Sequence, residues 1–162
     1  MSSTTRREYD FGAAVYGSIL VSALVGAMFE GSADSRSMTL SLLGSVLIFW
    51  VAHTWSDVIG ERVAEGSLFQ SAEIRSIAVH EWPLVEAGLL PGVLLATAWI
   101  GWYSRHTGVA LALAAAVVQL VAWGMFAGHR TETRWHRALL VGLFDGALGI
   151  GIVALEIAVH RV

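Results

Sequence analysis

Hydrophobic residues run along this chain in long blocks, and the polar residues collect between them. Five blocks stand out, over residues 11–29, 38–59, 83–103, 108–126 and 138–159. Each is about 20 residues long and at least three are apolar on all sides, as suits a helix crossing a ~30 Å hydrocarbon core. The pattern predicts an all-α polytopic membrane protein, a single domain of five transmembrane helices. The connections after the first, third and fourth spans are short and predict antiparallel helical hairpins. No internal repeat emerges.

The one sizeable connection covers residues 60–82. Ser67 and Gln70 read as a capping box, and Phe69, Ile74, Ile77 and Ala78 interleave with Glu73, Arg75, His80 and Glu81. This predicts a short cytoplasmic amphipathic helix between the second and third spans. Small residues mark where spans approach one another: Ser18, Ser22 and Gly26 in the first, Gly88 and Gly92 in the third, Gly142 and Gly146 in the fifth. Such stripes serve close packing within a bundle or pairing of two copies, and a homodimer is one expectation.

Composition reinforces the membrane reading. The chain is 56% hydrophobic and 14% charged, with a mean hydropathy of +0.64, too apolar for a soluble domain of this length. No basic stretch interleaved with aromatics is present, so nucleic acid is not an expected partner. Cysteine is absent, which leaves only oxygen and nitrogen donors for any metal. Arg6 and Arg7 ahead of an apolar run resemble the start of a signal peptide, but the run is long and lacks a clear small-x-small cleavage site, which favours a retained helix.

Arginines fix the expected orientation. With the N-terminus cytoplasmic, Arg6, Arg7, Arg62, Arg75, Arg130, Arg134 and Arg137 lie inside, and Arg36, Arg105 and Arg161 outside. That imbalance predicts a multi-pass inner-membrane protein with the N-terminus inside and the C-terminus outside.

Charged residues within the spans are where chemistry is sought. His53, Asp57 and Glu61 recur every fourth residue and so share one helix face over roughly 12 Å. An ionised carboxylate at mid-bilayer costs on the order of 3 kcal/mol, so this face should look onto protein or a wet cavity. His53 and Asp57 either hydrogen-bond each other as an i, i+4 pair or serve a proton or cation. Glu86 lies one turn inside the third span, near a carbonyl that Pro91 frees from the helix ladder. Asp145 lies deep in the fifth span. His53, Asp57, Glu86 and Asp145 are therefore the candidate transport-path residues.

Asp57, Glu61, Glu65, Glu73, His80 and Glu81 are candidate metal ligands at a cytoplasmic mouth. Carboxylates joined by imidazole suit Fe²⁺, Mn²⁺ or Zn²⁺. Solvated amphipathic faces carry the same residue types, so both readings stand at this point. Enzyme motifs fail. His80-Glu81 opens like a zinc-protease H-E-x-x-H, but Pro83 breaks the helix and Leu84 replaces the second histidine. No catalytic activity is expected.

Arg7-Glu8 with Phe11-Gly12, then Ser56, Gly60 and Glu61, then Gly124, Gly128, Arg130, Thr131, Trp135, Arg137, Leu139 and Gly142 resemble three motifs of the vacuolar iron transporter family. The resemblance implies a homodimeric five-helix fold with a path between the first two helices, and a divalent cargo such as Fe²⁺ or Mn²⁺ exchanged for protons. Three features depart from the family pattern. Ala13 to Tyr16 occupy the stretch where the family has an aspartate, Arg62 replaces a tyrosine, and the connection before the third span is shorter. The functional expectation is a small transporter-like protein. Its alternative is a non-transporting membrane protein that acts as an assembly partner through its glycine faces and its cytoplasmic helix.

Overall fold

The structure, a computed structural model, describes residues 10–31, 33–65, 71–131 and 135–159, and the described residues form helices and the turns between them. In chain order the helices are α1 (Phe11–Glu30), α2 (Ser35–Glu65), α3 (Ser71–His80), α4 (Trp82–Trp99), α5 (Arg105–Thr131) and α6 (Trp135–Val159). Four of them, α1, α2, α4 and α5, are long and apolar enough to cross a membrane. The Ser67–Gln70 capping box expected ahead of the connecting helix lies outside the described residues.

Local chemistry sets the helix limits. Asp10 caps α1, accepting a hydrogen bond from the Ala13 amide at 3.0 Å. Asp34 accepts from the Ser37 amide at 3.1 Å near the start of α2, and its hydrogen bonds to Ser37 hold its carboxyl below the ordinary range. The second helix outruns its predicted span at both ends, because the polar residues flanking the apolar block suit a helix once they emerge from lipid. The third span was expected to reach Tyr103, but α4 stops at Trp99. The chain turns at Gly101, whose φ of 88° is open to glycine and strained for other residues. Tyr103 folds back there, its hydroxyl donating to the Leu94 carbonyl at 2.6 Å beside the Thr97 hydroxyl.

α4 is the central helix, with α1, α2 and α5 packed along it, and α5 carries α6 on its other side. α1 and α2 touch over a shorter length than either touches α4. Val21, Val25, Met38, Leu42, Val46, Leu84 and Leu95 form the core between these helices. The small residues of α1 let α4 approach to backbone contact: a Cβ on Gly17 would stand 2.9 Å from the Leu84 carbonyl oxygen. Ser18 and Ser22 are buried there, each hydroxyl donating at 2.9 Å to the carbonyl four residues earlier.

The glycine motifs are used within the chain. Gly88 and Gly92 receive Val46 and Leu43 of α2, while Gly142 and Gly146 receive Met125 and Val121 of α5. Outward, the bundle is apolar: Ile48, Val51, Val93, Val118 and Phe144 are each more than half exposed. An exposed apolar surface of this extent on α2, α4, α5 and α6 suits lipid rather than water.

α3 is held by few contacts. Ile77 is buried, and the Trp50 indole of α2 donates to the Ala78 carbonyl at 2.9 Å while its ring meets Trp82 edge-on at 5.5 Å. Trp50→Phe keeps the ring contact and leaves that carbonyl without its donor. It should lower stability by about 1 kcal/mol, read as a lower thermal midpoint, with the strongest hydrogen-exchange change in α3.

Candidate functional site

Two helices begin at the same end of the bundle, and an acid precedes each. Asp10 precedes α1 and Glu81 precedes α4, while α3 ends at His80 immediately before Glu81. α2 passes this corner with His53 and Asp57. Two donor groups result, Asp10–His80–Glu81 and His53–Asp57–Glu81, and within each the ligand atoms lie within 4.8 Å of one another.

Asp10 has two tasks. Oδ1 caps α1, and Oδ2 lies 3.1 Å from His80 Nε2. His80 closes α3, where the helix dipole favours a cation, and Glu81 stands at the start of α4, where it favours an anion. On the other side, His53 Nε2 approaches Glu81 Oε2 at 3.5 Å. The imidazole is held nearly parallel to the Tyr16 ring of α1, centroids 5.8 Å apart and planes 20° apart.

Glu81 is the hub. It is 3% exposed, and its Oε2 makes no hydrogen bond although it is aimed between the histidine and aspartate side chains. Burial pushes its carboxyl up from the ordinary range; the His53 imidazole opposes that rise, and the Asp57 and Asp10 carboxylates add to it. The Asp57 and Glu81 carboxyl oxygens lie within 4.8 Å of each other, and the proximity of two acids favours a cation beside them. His53, by contrast, has 45% of its side chain exposed and is reachable from outside the bundle.

The donor set has the chemistry to hold a divalent transition metal. Oxygen or nitrogen ligands at about 2.1 Å from a common ion lie at most about 4.2 Å apart, so small side-chain rotations would close either group around one ion. Imidazole with carboxylate suits Mn²⁺, Fe²⁺ or Zn²⁺ better than Ca²⁺ or Mg²⁺.

The sequence-derived candidates divide accordingly. His53, Asp57, His80 and Glu81 come together. The partner of His53 is Glu81 as well as the expected Asp57, because the corner before α4 turns a carboxylate toward α2. Glu61 stands one turn further along α2, half-buried, and Glu73 lies in the first turn of α3; neither belongs to the two donor groups. The Glu65 side chain lies outside the described residues. Glu86 is half-buried in α4 and outside both groups. Asp145 occupies a different place, the α5–α6 seam, where its carboxylate covers Gly124 so closely that a Cβ there would collide with it.

Asp10 is the residue the sequence reading missed. An aspartate directly before an apolar helix reads as an N-cap, and a cap uses one oxygen. The available signal was that this cap belongs to the same expected membrane face as His80 and Glu81. No family model, curated protein or solved structure matches this chain.

Proposed function

We propose that this chain is a small bacterial inner-membrane transporter-like protein that carries a divalent metal ion, Fe²⁺ or Mn²⁺, in exchange for protons. One observation carries the reading: a buried carboxylate, Glu81, whose Oε2 makes no hydrogen bond and lies 3.5 Å from His53 Nε2, faces two imidazoles and two further acids at one end of an apolar helical bundle.

In this reading α6 is the fifth span, since 25 helical residues reach about 38 Å, and α3 lies at the cytoplasmic surface. The N-terminus is inside and the C-terminus outside, which puts the Glu81 cluster at the cytoplasmic mouth. Arg36, over the Trp99 ring, and Arg105, bonded to the Ala33 carbonyl, then mark the outer end. The limited contact between α1 and α2 favours a path along that seam, with Tyr16 and His53 at its edge. Glu61 would gather cations outside the cluster, and a homodimer would associate through apolar faces.

The rival reading, an assembly partner without transport, uses glycine faces and the cytoplasmic helix for its contacts. Gly88, Gly92, Gly142 and Gly146 are already covered by side chains of this same chain. Flux decides between the two. Liposomes containing the wild-type protein should take up Mn²⁺ above background, with coupled proton movement, and Glu81→Gln and Asp57→Asn should fall to background. Equal background flux in all three would end the transport reading.

A further inference from the structure

Glu81 is common to two donor sets that come from different depths and different helices. Asp10 and His80 lie at the rim, where α1 starts and α3 ends. His53 lies deeper, beside Tyr16, which is in the second turn of α1 and roughly 8 Å from that helix's first residue. Each set has one imidazole, one aspartate and the shared glutamate. The hub is almost wholly buried; its Oε2 makes no hydrogen bond and lies 3.5 Å from the His53 Nε2 of the inner set.

The geometry points to two divalent-cation subsites in series. The outer consists of Asp10, His80 and Glu81, the inner of His53, Asp57 and Glu81, and one cation passes between them by exchanging aspartate and histidine ligands while Glu81 stays bound. This rests on the transport reading above and adds the order of sites to it. One ion at a time is expected, because only three carboxylates oppose the four positive charges that two dications would bring. A carboxylate common to both positions removes the need to release the ion to solvent between them.

The test uses the full chain with Mn²⁺ as probe, measuring binding by calorimetry in micelles and flux in liposomes. The outer double variant is Asp10→Asn with His80→Gln, and the inner is His53→Gln with Asp57→Asn. Asparagine caps a helix as well as aspartate does, so α1 keeps its start. Thermal melting verifies the fold, and the single changes Asp10→Asn and Asp57→Asn replace any double variant that does not melt cooperatively.

The wild type should bind one Mn²⁺, and each double variant should still bind one through the remaining set. Flux through either double variant should fall by about tenfold or more, the scale on which ligand-shell changes act. Glu81→Gln should bind none. If either well-folded double variant binds no Mn²⁺, the five residues form one indivisible site and the series is wrong, although transport stands. Unchanged flux in the outer variant also overturns it. A wild type that binds no Mn²⁺ removes the transport reading itself.

Discussion

Replacing Glu81 by glutamine is expected to raise the thermal midpoint of the cation-free protein at neutral pH while abolishing Mn²⁺ uptake. The carboxyl is buried, and its proton affinity in the fold is raised chiefly by lost hydration. The sign follows from linkage. Well below the ordinary carboxylate range, folded and unfolded chains both hold the proton, and the fold carries no penalty. As pH rises toward the elevated folded value, the unfolded chain releases its proton first, and stability falls until the folded group has also ionised.

Glutamine keeps the shape and never ionises. The variant's advantage should therefore be largest at pH 7 and above and vanish toward pH 4. Its size should be on the order of 1–3 kcal/mol, the range for a buried polar group left without a partner. Melting curves at both pH values with chelator present measure it. A midpoint lowered at neutral pH would mean that the His53 pairing outweighs desolvation. A gain in stability with loss of uptake would mark Glu81 as a residue kept at the fold's expense.

The second large effect concerns packing. Gly17→Val should separate α1 from α4, because the nearest atoms to the new Cβ are the Leu84 carbonyl oxygen, the Leu84 Cα and the Ala87 Cβ at 2.9–3.1 Å. These are backbone or backbone-fixed atoms, so the helices themselves must move apart. The expected cost is about 3 kcal/mol, at the upper end for overpacking, seen as loss of a cooperative melt or a greatly lowered midpoint. Gly44→Ala and Gly60→Ala are the controls. Nothing lies within 4 Å of a Cβ at either position, so each should be neutral or should stabilise α2 by up to about 1 kcal/mol, the helix preference of alanine over glycine. Equal damage at Gly17 and Gly44 would refute the close α1–α4 contact.

The helical architecture could be read from the sequence because long apolar blocks leave the backbone no alternative to helix in lipid. The first span agrees with α1 almost residue for residue, since Asp10 and Gly31 bracket it with a cap and a stop. The end of α4 was not legible. Nothing in Ile100 to Tyr103 is polar enough to break an apolar block, and the stop depends on Gly101 taking a positive φ while Tyr103 returns to Leu94.

The candidate site was half legible. Four-residue spacing put His53 and Asp57 on one face, and the alternation around residues 73–81 identified His80 and Glu81 as polar. Their convergence depends on where α3 and α4 turn, which periodicity does not encode. The burial of Glu81 was hidden for the same reason, because acids beside His80 read as solvated until α1 and α2 close over the corner. Asp145 is the converse case. Its depth in an apolar block marked it for the path, yet an empty glycine surface on α5 accommodates it at a separate seam.

α4 is fastened unequally at its two ends. Beyond its last turn, the Tyr103 hydroxyl ties the following turn back to Leu94 and Thr97, whereas its first residue follows directly on the charged corner. Midway, Pro91 has no amide hydrogen to give the Ala87 carbonyl, so the ladder of α4 lacks a rung between the turn tied back by Tyr103 and the charged corner.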